Sequence, residues 1–480
     1  MPSLGVLYVA AVLEQRGHPV SVLDAHARGM SVERIAEHVR GEAPDIFGIT
    51  VTSENRLDAF SVARAVKRAH PAAFVVVGGP HCFFTDHDTL SHVPEIDAVV
   101  RGEGEFTMLE LVEALGAGHD LRNVAGLTFR DGARIVQNGP RALIPDLDAL
   151  PDPARNLIRM DDYRTLMEVP GKGWLPATNV MTSRGCPFQC NFCATPKNWG
   201  RRVRGRSPAK VVAEVEMLVN TYGARVIWFY DDTFNYSPPR LEAICRMLIE
   251  RKLPIHWFAE VRVDMLTRPL FELMVQAGLY HVGFGIESAC ERICREIIRK
   301  QATLRQAEDV ITWANELGVT ANPFFIFSHP TETYAEATET LRYAKSLRGR
   351  SRCSLAILHV YPGTELHQRA LAEGKIPADF SWTTPNDPRI LELPEAQGRI
   401  PLYKDRLSWY QIARLMFALN ESSKKVSLRE KIAKVLRNPR AINNAPIYGV
   451  MLVAFLVTKL ERALGERAVA PVDAFLARFL

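Results

Sequence analysis

Three cysteines on one short stretch are the residues of this chain best suited to chemistry. Cys186, Cys190 and Cys193 follow the spacing C-x3-C-x2-C within the run SRGCPFQCNFC. Three thiolates on one loop can bind three irons of a cubic [4Fe–4S] cluster and leave the fourth iron open to a small molecule. A structural zinc site needs four ligands, and no further Cys or His accompanies this triplet nearby. The spacing therefore predicts these cysteines as the metal ligands and catalytic core of an iron–sulfur protein.

The composition describes an ordinary globular protein. With 480 residues, 47% of them hydrophobic and 24% charged, the chain is expected to be soluble and to fold into two to three domains. Its net charge of +5 is spread over the whole length and does not indicate nucleic-acid binding. No secretory signal is present, so we expect reduced cysteines and a cytoplasmic location. The most apolar stretch, residues 445–457, is too short to span a bilayer. We expect a buried or interfacial helix there, with peripheral membrane contact as the alternative.

Six strand–helix units are expected to position the cysteine loop. Residues 173–370 alternate apolar strands with amphipathic helices, which predicts a partial (β/α)6 barrel that is open on one side. The predicted strands cover residues 179–182, 225–230, 256–261, 282–286, 323–327 and 354–360. The cysteine loop follows the first of these strands. Because barrel enzymes carry their chemistry at the carboxyl ends of the strands, a catalytic site is expected at this loop.

A separate α/β domain is predicted ahead of the barrel, in residues 1–120. The predicted strands cover residues 20–23, 46–51, 74–77 and 98–100, and the predicted helices cover 4–16, 32–40, 57–69 and 106–115. This alternation predicts a doubly wound, Rossmann-type parallel sheet, in which ligands bind beyond the carboxyl ends of the strands. The candidate ligand-binding residues at those ends are Ser53, Gly78, Gly79, His81, Gly102, Glu103 and Gly104. Glycines there let the backbone approach a bulky planar ligand.

Two further segments complete the predicted organisation. Residues 121–172 are interpreted as a linker that contains a hairpin at 126–132 and a proline-rich connector. Residues 371–480 are expected to form a mostly helical C-terminal region, with amphipathic helices at 407–418 and 428–436. This region is a candidate to close over a substrate.

These motifs together resemble the cobalamin-dependent radical S-adenosylmethionine (SAM) enzymes over about residues 1 to 370. The cysteine loop has the aromatic Phe192 before its third cysteine, the first domain has the turns Gly-Gly-Pro-His and Gly-Glu-Gly-Glu, and Gly-Ile-Glu-Ser ends the fourth barrel strand. The resemblance implies that SAM chelates the open iron of the cluster and is cleaved to a 5′-deoxyadenosyl radical. It also implies that the first domain binds cobalamin.

The first domain departs from the family pattern at two points. The family normally has its first strand before the point that corresponds to Met1 to Gly5, so either the true start lies earlier or the sheet lacks that strand; in addition, no D-x-H-x-x-G motif supplies a histidine ligand for cobalt. His81 is therefore expected near the corrin ring and not as its axial ligand. The alternative is a degenerate domain that serves only as a scaffold or substrate-binding module.

The resemblance also assigns residues at the ends of the barrel strands to SAM. Asp231 and Asp232 follow the second strand and are candidates to bind the SAM amino group, while Arg262 after the third strand can fork onto its carboxylate. Glu287 and Ser288 belong to Gly-Ile-Glu-Ser, in which Glu287 is expected to accept hydrogen bonds from the ribose. The alternative for these side chains is a structural ion pair or cap, and for Asp232 it is a helix N-cap.

Two features of the barrel sequence leave alternatives open. His329 follows the fifth strand where the family has a glycine-containing turn, and it is either an acid or base toward the substrate or an ordinary loop histidine. Four arginines follow the cysteine loop: Arg201, Arg202, Arg204 and Arg206. They either contact an anionic substrate or cobalamin, or form a solvated basic loop.

The resemblance implies a cobalamin-dependent methyltransferase that acts on an unactivated carbon of a natural-product or lipid intermediate. One alternative is a cobalamin-binding radical SAM oxidoreductase or cyclase without methyl transfer. A second alternative is a non-catalytic iron–sulfur binding or electron-transfer protein. The expected partners are a small-molecule substrate and an electron donor such as flavodoxin or ferredoxin, with no nucleic acid and no transmembrane span.

Overall fold

The computed structural model describes residues 1–163, 165–384, 387, 400–419 and 445–479. The helix predicted at 428–436 lies outside these residues. Within them, the strands form a five-stranded sheet, a seven-stranded sheet and a two-stranded ribbon. The two larger sheets correspond to the two predicted α/β domains.

The first sheet has the strand order β1-β2-β3-β4-β5. Its strands are β1 (Ile46–Thr50), β2 (Phe74–Gly78), β3 (Ala98–Val100), β4 (Leu127–Asp131) and β5 (Arg134–Gln137), and its helices are α1 (Leu4–Gln15), α2 (Val32–Glu42), α3 (Arg56–Ala69), α4 (Asp86–His92) and α5 (Gly104–Ala117). β1 to β3 are parallel, and β4 and β5 add an antiparallel hairpin. Val75 and Val77 pack in one core with α2 and α3, while Val76 packs with α5. This burial on both faces is typical of a sheet covered by helices.

Two parts of the first sheet differ from the prediction. The strand predicted at 20–23 is wrong, because Val20 and Val22 pack beside α1 and Ala154 without forming a ladder. Their alternating apolar side chains are partly buried by this packing, which produces the same sequence pattern as a strand. The hairpin predicted at 126–132 is formed, but it pairs with β3. The first sheet therefore continues into the segment that was interpreted as a linker.

The second sheet is a curled half-barrel, and it confirms the six predicted strand–helix units. Its strand order is β14-β13-β12-β11-β10-β7-β6, in which β6 is an added antiparallel edge. The strands are β6 (Leu166–Val169), β7 (Gly173–Val180), β10 (Val226–Phe229), β11 (His256–Glu260), β12 (Leu279–Glu287), β13 (Thr320–Phe327) and β14 (Ser354–Ile357). The helices are α6 (Thr195–Asn198), α7 (Pro208–Tyr222), α8 (Pro238–Glu250), α9 (Arg268–Gln276), α10 (Leu304–Glu316), α11 (Tyr334–Ser346) and α12 (Glu365–Ala372). The ribbon consists of β8 (Ser183–Arg184) and β9 (Arg204–Gly205).

Local sequence signals define where several barrel helices begin. Ser207 caps α7, and Thr303 and Thr333 form capping boxes with Gln306 and Glu336 at the starts of α10 and α11. Each of these helices returns the chain to the amino end of the sheet. All six parallel strands therefore present their carboxyl ends at one edge, where the cysteine loop lies.

Three described helices follow the barrel: α13 (Trp409–Leu419), α14 (Ala445–Leu464) and α15 (Glu466–Phe479). Ile412 and Leu415 of α13 pack with Leu341 of α11 and Ile357 of β14. Among the described helices, none combines the length and the apolar character that crossing a bilayer requires. The C-terminal helices thus extend the core at the β14 side of the half-barrel.

Candidate active site

The cysteine loop is the stretch between β8 and β9, and the backbone holds both of its ends. The Cys186 N–H donates to the Gly200 carbonyl at 3.2 Å, and the Cys193 N–H donates to the Cys190 carbonyl at 3.1 Å. Gly185 has φ +104°, and a Cβ at this position would lie 2.8 Å from the Arg202 carbonyl oxygen. Only glycine fits there, which explains the Ser-Arg-Gly-Cys start of the motif.

The three cysteines are free thiols and only partly buried. Burial raises the pKa of Cys190 to about 11 and also raises the pKa of Cys193. Metal coordination deprotonates such thiols outright. No three His, Cys, Asp or Glu side chains of the described residues are placed to ligate one metal ion. In a cubic cluster each cysteine binds a different iron, so three thiols on one loop fit a [4Fe–4S] cluster without converging on one point.

Asp231 ties the second barrel strand to the start of the cysteine loop. Its carboxylate accepts hydrogen bonds from the Thr182 N–H, the Thr182 hydroxyl and the Ser183 hydroxyl, each at 2.6 Å. Burial raises the pKa of Asp231, although these hydrogen bonds act in the opposite direction. The Asp231 carboxylate therefore makes structural contacts within the protein, which was the alternative to SAM binding.

Asp232 is the exposed member of the pair. Its carboxylate accepts one described hydrogen bond, from the Thr195 hydroxyl at 2.9 Å. Nearby protein atoms partly desolvate this carboxylate, which raises the pKa of Asp232 to about 6. Ser237, and not Asp232, is the N-cap residue of α8. Asp232 is therefore the aspartate of the two that is available to a ligand beside the cysteine loop.

Arg262 lies flat on the cysteine loop. Its guanidinium carbon is 3.5 Å from the centroid of the Phe188 ring, between the first two cysteines. Its fork contacts the Asp264 carboxylate at 2.9 and 2.6 Å, which is the structural ion pair foreseen as the alternative. Asn235 holds the backbone of Arg262 through two hydrogen bonds. In this structure Arg262 supports the loop, and a SAM carboxylate would have to compete with Asp264 for its fork.

Glu287 occupies a bulge at the end of β12 and is paired with a residue that the sequence analysis missed. It has φ +69°, and its carboxylate accepts a hydrogen bond from the Lys300 ammonium at 2.8 Å. Both side chains are almost fully buried. A Cβ on Gly285 would overlap the Glu287 carboxylate, so this glycine makes room for the ion pair. Ser288 instead bonds the Thr340 hydroxyl at 3.0 Å and accepts the Cys290 N–H, which is a structural role.

Phe192 and His329 lie next to each other behind the cysteine loop, with ring centroids 6.1 Å apart. His329 is only 1% exposed, and neither ring nitrogen has a well-aligned partner among the described residues. Burial lowers the pKa of His329 to about 3, so the ring is neutral. A buried neutral ring whose nitrogens have no described partner fits an ordinary loop histidine and equally a residue that a ligand would contact, so both interpretations of His329 stay open.

A one-turn π-helix, Ile293–Ile298, also supports the loop. The Asn191 side-chain amide donates to the Ile297 carbonyl at 2.8 Å. π-turns leave the regular α-helical hydrogen-bond pattern and are frequent at functional sites. The π-turn thus provides a backbone acceptor to the residue that follows Cys190.

The ligand edge of the first domain has its own buried histidine. His81 is 1% exposed, and its Nδ1 lies 3.0 Å from the Ser53 hydroxyl. Its Nε2 has no partner among the described residues. Burial lowers the pKa of His81 to about 3, and its ring packs edge-on against Trp382 at 5.6 Å. An orphaned buried nitrogen at this edge fits a residue that waits for a ligand.

The predicted glycines at the same edge mainly serve close packing of the protein. Gly79 has φ +107°, and a Cβ there would lie 2.7 Å from the Val51 carbonyl oxygen. Gly102 faces the Phe83 ring. Gly78 and Gly104 make only ordinary contacts with Val100, 3.5 Å from the position of a Cβ. The backbone turns at the strand ends need Gly79 and Gly102, whatever ligand lies above them.

The ligand edges of the two sheets face each other. A Cβ on Gly363, in the loop after β14, would overlap the ring of Phe84 from the first domain. In the same region the Tyr361 hydroxyl donates to the Glu54 carboxylate at 3.1 Å. A group bound at the edge of the first sheet therefore lies opposite the barrel edge that presents the cysteine loop.

Glu103 was predicted as a ligand-binding residue, but its carboxylate is occupied by the protein. It is 4% exposed and contacts Arg184 at 2.8 Å, Arg204 at 2.8 Å and the Ile144 N–H at 2.6 Å. Arg206 is likewise buried in an ion pair with Glu214. For Arg204 and Arg206, both predicted roles are wrong, since these side chains are neither solvated nor free to bind a ligand.

Arg201 and Arg202 behave differently from the other two arginines, because both are exposed to solvent. The pairing of Arg184, Arg204 and Arg206 could not be found from the sequence, because their partners are distant in the chain.

Comparisons with known proteins agree with this arrangement. Residues 180–344 match the Radical SAM superfamily, and residues 1–112 match the B12 binding domain. An uncharacterized methyltransferase of Pyrococcus horikoshii is 38% identical over 77% of this chain and 79% of its own length. The anaerobic magnesium-protoporphyrin IX monomethyl ester cyclase of Cereibacter sphaeroides is 31% identical over 72% of this chain and 56% of its own.

A solved structure shares the fold. The radical SAM methyltransferase TsrM from Kitasatospora setae, solved with cobalamin and a [4Fe-4S] cluster, superposes with a TM-score of 0.70 and 18% identity. The superposition covers 94% of this chain and 96% of that one. The arrangement of a B12-binding-like sheet ahead of a half-barrel is therefore common to both.

Proposed function

Because the chain belongs to the cobalamin-dependent radical SAM enzymes, we propose that it methylates an unactivated carbon of a small-molecule natural-product or lipid intermediate. The cofactors of the family are a [4Fe–4S] cluster, SAM and cobalamin. The observation that carries the proposal is that the two ligand edges face each other, which puts a cobalamin site opposite the cysteine loop. We place the reaction in a reducing cytoplasm, with flavodoxin or ferredoxin as the class of electron donor.

When bound, the three cofactors supply a 5′-deoxyadenosyl radical and a transferable methyl group. The residues of this chain bind and orient them. Cys186, Cys190 and Cys193 would hold three irons, and Thr233, with its hydroxyl 3.6 Å from the Cys186 sulfur, would support the first of these ligands. Asp231 would keep the loop in place by bonding residues just before it.

Side chains that border the open iron would hold SAM. Asp232 would accept hydrogen bonds from the SAM amino group, because its exposed carboxylate has few protein partners. Glu287 would accept hydrogen bonds from the ribose while Lys300 neutralises its charge. Phe192 would offer an apolar ring beside the third cysteine. These contacts orient the cofactor, and orientation is the main contribution of a protein to such chemistry.

On the opposite side, the first domain would bind cobalamin with Ser53, His81 and its glycine turns. His81 is neutral, and its free Nε2 can donate or accept one hydrogen bond. Trp382 covers His81 and would keep water away from this edge. Exclusion of water protects a radical reaction from quenching.

A second candidate function is a radical reaction without methyl transfer. It is favoured by the 31% identity to a magnesium-protoporphyrin ester cyclase. The two functions require the same cysteine loop and the same cobalamin edge, so the site geometry does not distinguish them. The reaction products distinguish them.

The test uses the full chain, purified without oxygen after expression with hydroxocobalamin. We expect one cobalamin per chain and, with the substrate, S-adenosylhomocysteine together with 5′-deoxyadenosine. A Cys190→Ala variant should lose both products, while Cys353→Ala, at a partly buried cysteine outside the loop, should keep them. 5′-Deoxyadenosine without S-adenosylhomocysteine would support the cyclase or oxidoreductase. An intact cluster without SAM cleavage would contradict both.

A further inference from the structure

Arg184 connects the cysteine loop to the first domain. Its guanidinium contacts the Glu103 carboxylate at 2.8 Å and the Glu105 carboxylate at 2.5 Å. It is 3% exposed and lies between the rings of Tyr8 and Trp199, at 5.2 and 5.1 Å. One buried side chain therefore binds two carboxylates and two aromatic rings in a fixed orientation.

The second arginine of the ribbon reinforces this contact. Arg204 on β9 donates to Glu103 at 2.8 and 3.0 Å, and to the Ile144 carbonyl at 2.6 Å. β9 pairs with β8, so Arg184 and Arg204 are direct neighbours across the ribbon. They bracket the whole cysteine loop. Two arginines thus face two glutamates in a buried cluster whose formal charges cancel.

The positions of these residues in the fold give the cluster a functional meaning. Glu103 is the N-cap residue of α5 and Glu105 lies in the first turn of that helix, which begins just after β3 at the ligand edge of the first domain. Arg184 precedes Gly185 and Cys186, the first ligand of the iron–sulfur site. Arg184 is therefore ion-paired with the first domain and only two residues away from the first cysteine of the cluster loop.

Stability alone is a weak explanation for such a cluster. Removing charged side chains from water is costly, and well-packed apolar side chains often stabilise a core as well as buried ion pairs do, or better. What ion pairs provide in addition is directional geometry, since a forked guanidinium donates to carboxylates in few orientations. The cluster is suited to hold two parts of the protein at a fixed separation.

We propose that Arg184, Arg204, Glu103 and Glu105 are positioning residues that dock the cysteine loop on the ligand edge of the first domain. They thereby fix the separation between the iron–sulfur cluster and cobalamin. This inference deepens the proposed function and depends on it only in requiring both cofactors. It does not depend on the substrate or on the type of radical reaction.

The first test needs no cofactor. Hydrogen–deuterium exchange is measured on the full metal-free chain for wild type and Arg184→Lys. Lysine keeps the charge but cannot bind both carboxylates with a fork. We expect amides of residues 185–203 to exchange at least about tenfold faster, because the local opening free energy falls. Unchanged exchange in this segment overturns the inference, whether or not cobalamin binds.

Arg414→Lys is the matched control. Arg414 also contacts two carboxylates, those of Glu461 and Asp473, but it lies in the C-terminal helices. This variant should loosen α13 to α15 and leave the cysteine loop as in wild type. If Arg184→Lys fails to fold, Glu105→Gln removes one carboxylate without changing its size. The same acceleration is then expected in the milder variant.

The second test measures the separation itself. Cob(II)alamin and the reduced cluster are both paramagnetic, and their dipolar coupling falls with the cube of the distance. We expect one defined splitting of the cobalt signal in wild type and a smaller or broadened splitting in Glu105→Gln, at equal iron and cobalt content. An identical splitting would overturn the positioning role. Absence of cobalamin from wild type would instead count against the proposed function, and the exchange result would still decide the docking.

Discussion

Asp231 and Asp232 are adjacent, yet the structure gives them different tasks, and substituting each with asparagine separates the two. Asp231 binds the start of the cysteine loop through three hydrogen bonds, whereas Asp232 accepts one described hydrogen bond and is exposed. Asp231→Asn should therefore damage the cluster site. Asp232→Asn should leave the cluster in place and weaken SAM binding.

The magnitude follows from the hydrogen bonds to the charged carboxylate. A hydrogen bond to a charged group contributes about 1.5–3 kcal/mol. Asparagine keeps one acceptor oxygen but turns an amide N–H2 toward the partners of the other, which are the hydroxyls of Thr182 and Ser183. We expect the loop to lose about 3 kcal/mol, which makes its opening roughly a hundredfold more frequent.

The assay compares the two variants after anaerobic reconstitution. Iron and sulfide per chain, and the rate at which a chelator removes the cluster, are measured first. SAM affinity is then measured by equilibrium dialysis at matched cluster content. Asp231→Asn should lose its cluster many times faster than wild type. For Asp232→Asn, the rate of cluster loss should stay near that of wild type while SAM binds at least about tenfold more weakly, as expected for one charged contact.

The reverse pattern would refute this division of roles. If Asp231→Asn retained its cluster like wild type, the three hydrogen bonds would not be what holds the loop. If Asp232→Asn bound SAM normally, the amino group of SAM would have another partner, and the exposed carboxylate would have to be assigned elsewhere.

Three further outcomes follow from the structure. Lys300→Met leaves the buried Glu287 carboxylate unpaired and should lower stability by about 3–5 kcal/mol, while the double variant with Glu287→Gln should recover most of it in thermal unfolding. Gly285→Ala places a Cβ against the Glu287 carboxylate and should lower the unfolding temperature, whereas Gly5→Ala, with open space around it, should be neutral or stabilising. Burial raises the pKa of Glu332 to about 7 from an ordinary value near 4.5. Between these two pH values the folded state keeps a proton that the unfolded chain releases. The free energy of unfolding should therefore fall by up to about 3 kcal/mol as the pH rises from 4.5 to 7. Unfolding of Glu332→Gln, measured at the same pH values, should lack this decline.

The sequence was sufficient to predict the cysteine loop, the two α/β domains and the six barrel units. These features depend on local patterns, namely ligand spacing, apolar periodicity and helix capping. The strand predicted at 20–23 failed because alternation reports only that every second side chain is buried. Val20 and Val22 are partly buried against a helix and a linker residue, which gives the same pattern as a sheet.

The roles of charged residues were harder to predict for a different reason. Glu103 and Asp232 are both carboxylates after a strand, yet Glu103 is occupied by two arginines and Asp232 is exposed. Arg184 is about eighty positions away from Glu103 in the chain, and the local sequence around either residue does not predict the ion pair. Whether a polar residue faces a ligand or a protein partner is decided by tertiary packing, which a single sequence does not encode in a readable form.

The π-turn at Ile293–Ile298 makes the length of its segment part of the site. A π-turn holds one residue more than the α-helical turn it replaces. Deleting a single residue there would restore regular winding and rotate the residues that directly follow the deletion by roughly 100° about the helix axis. The Ile297 carbonyl would turn away from Asn191, and Lys300 would leave Glu287. A change in the number of residues in this stretch would therefore break both contacts even if every side chain that makes them were kept.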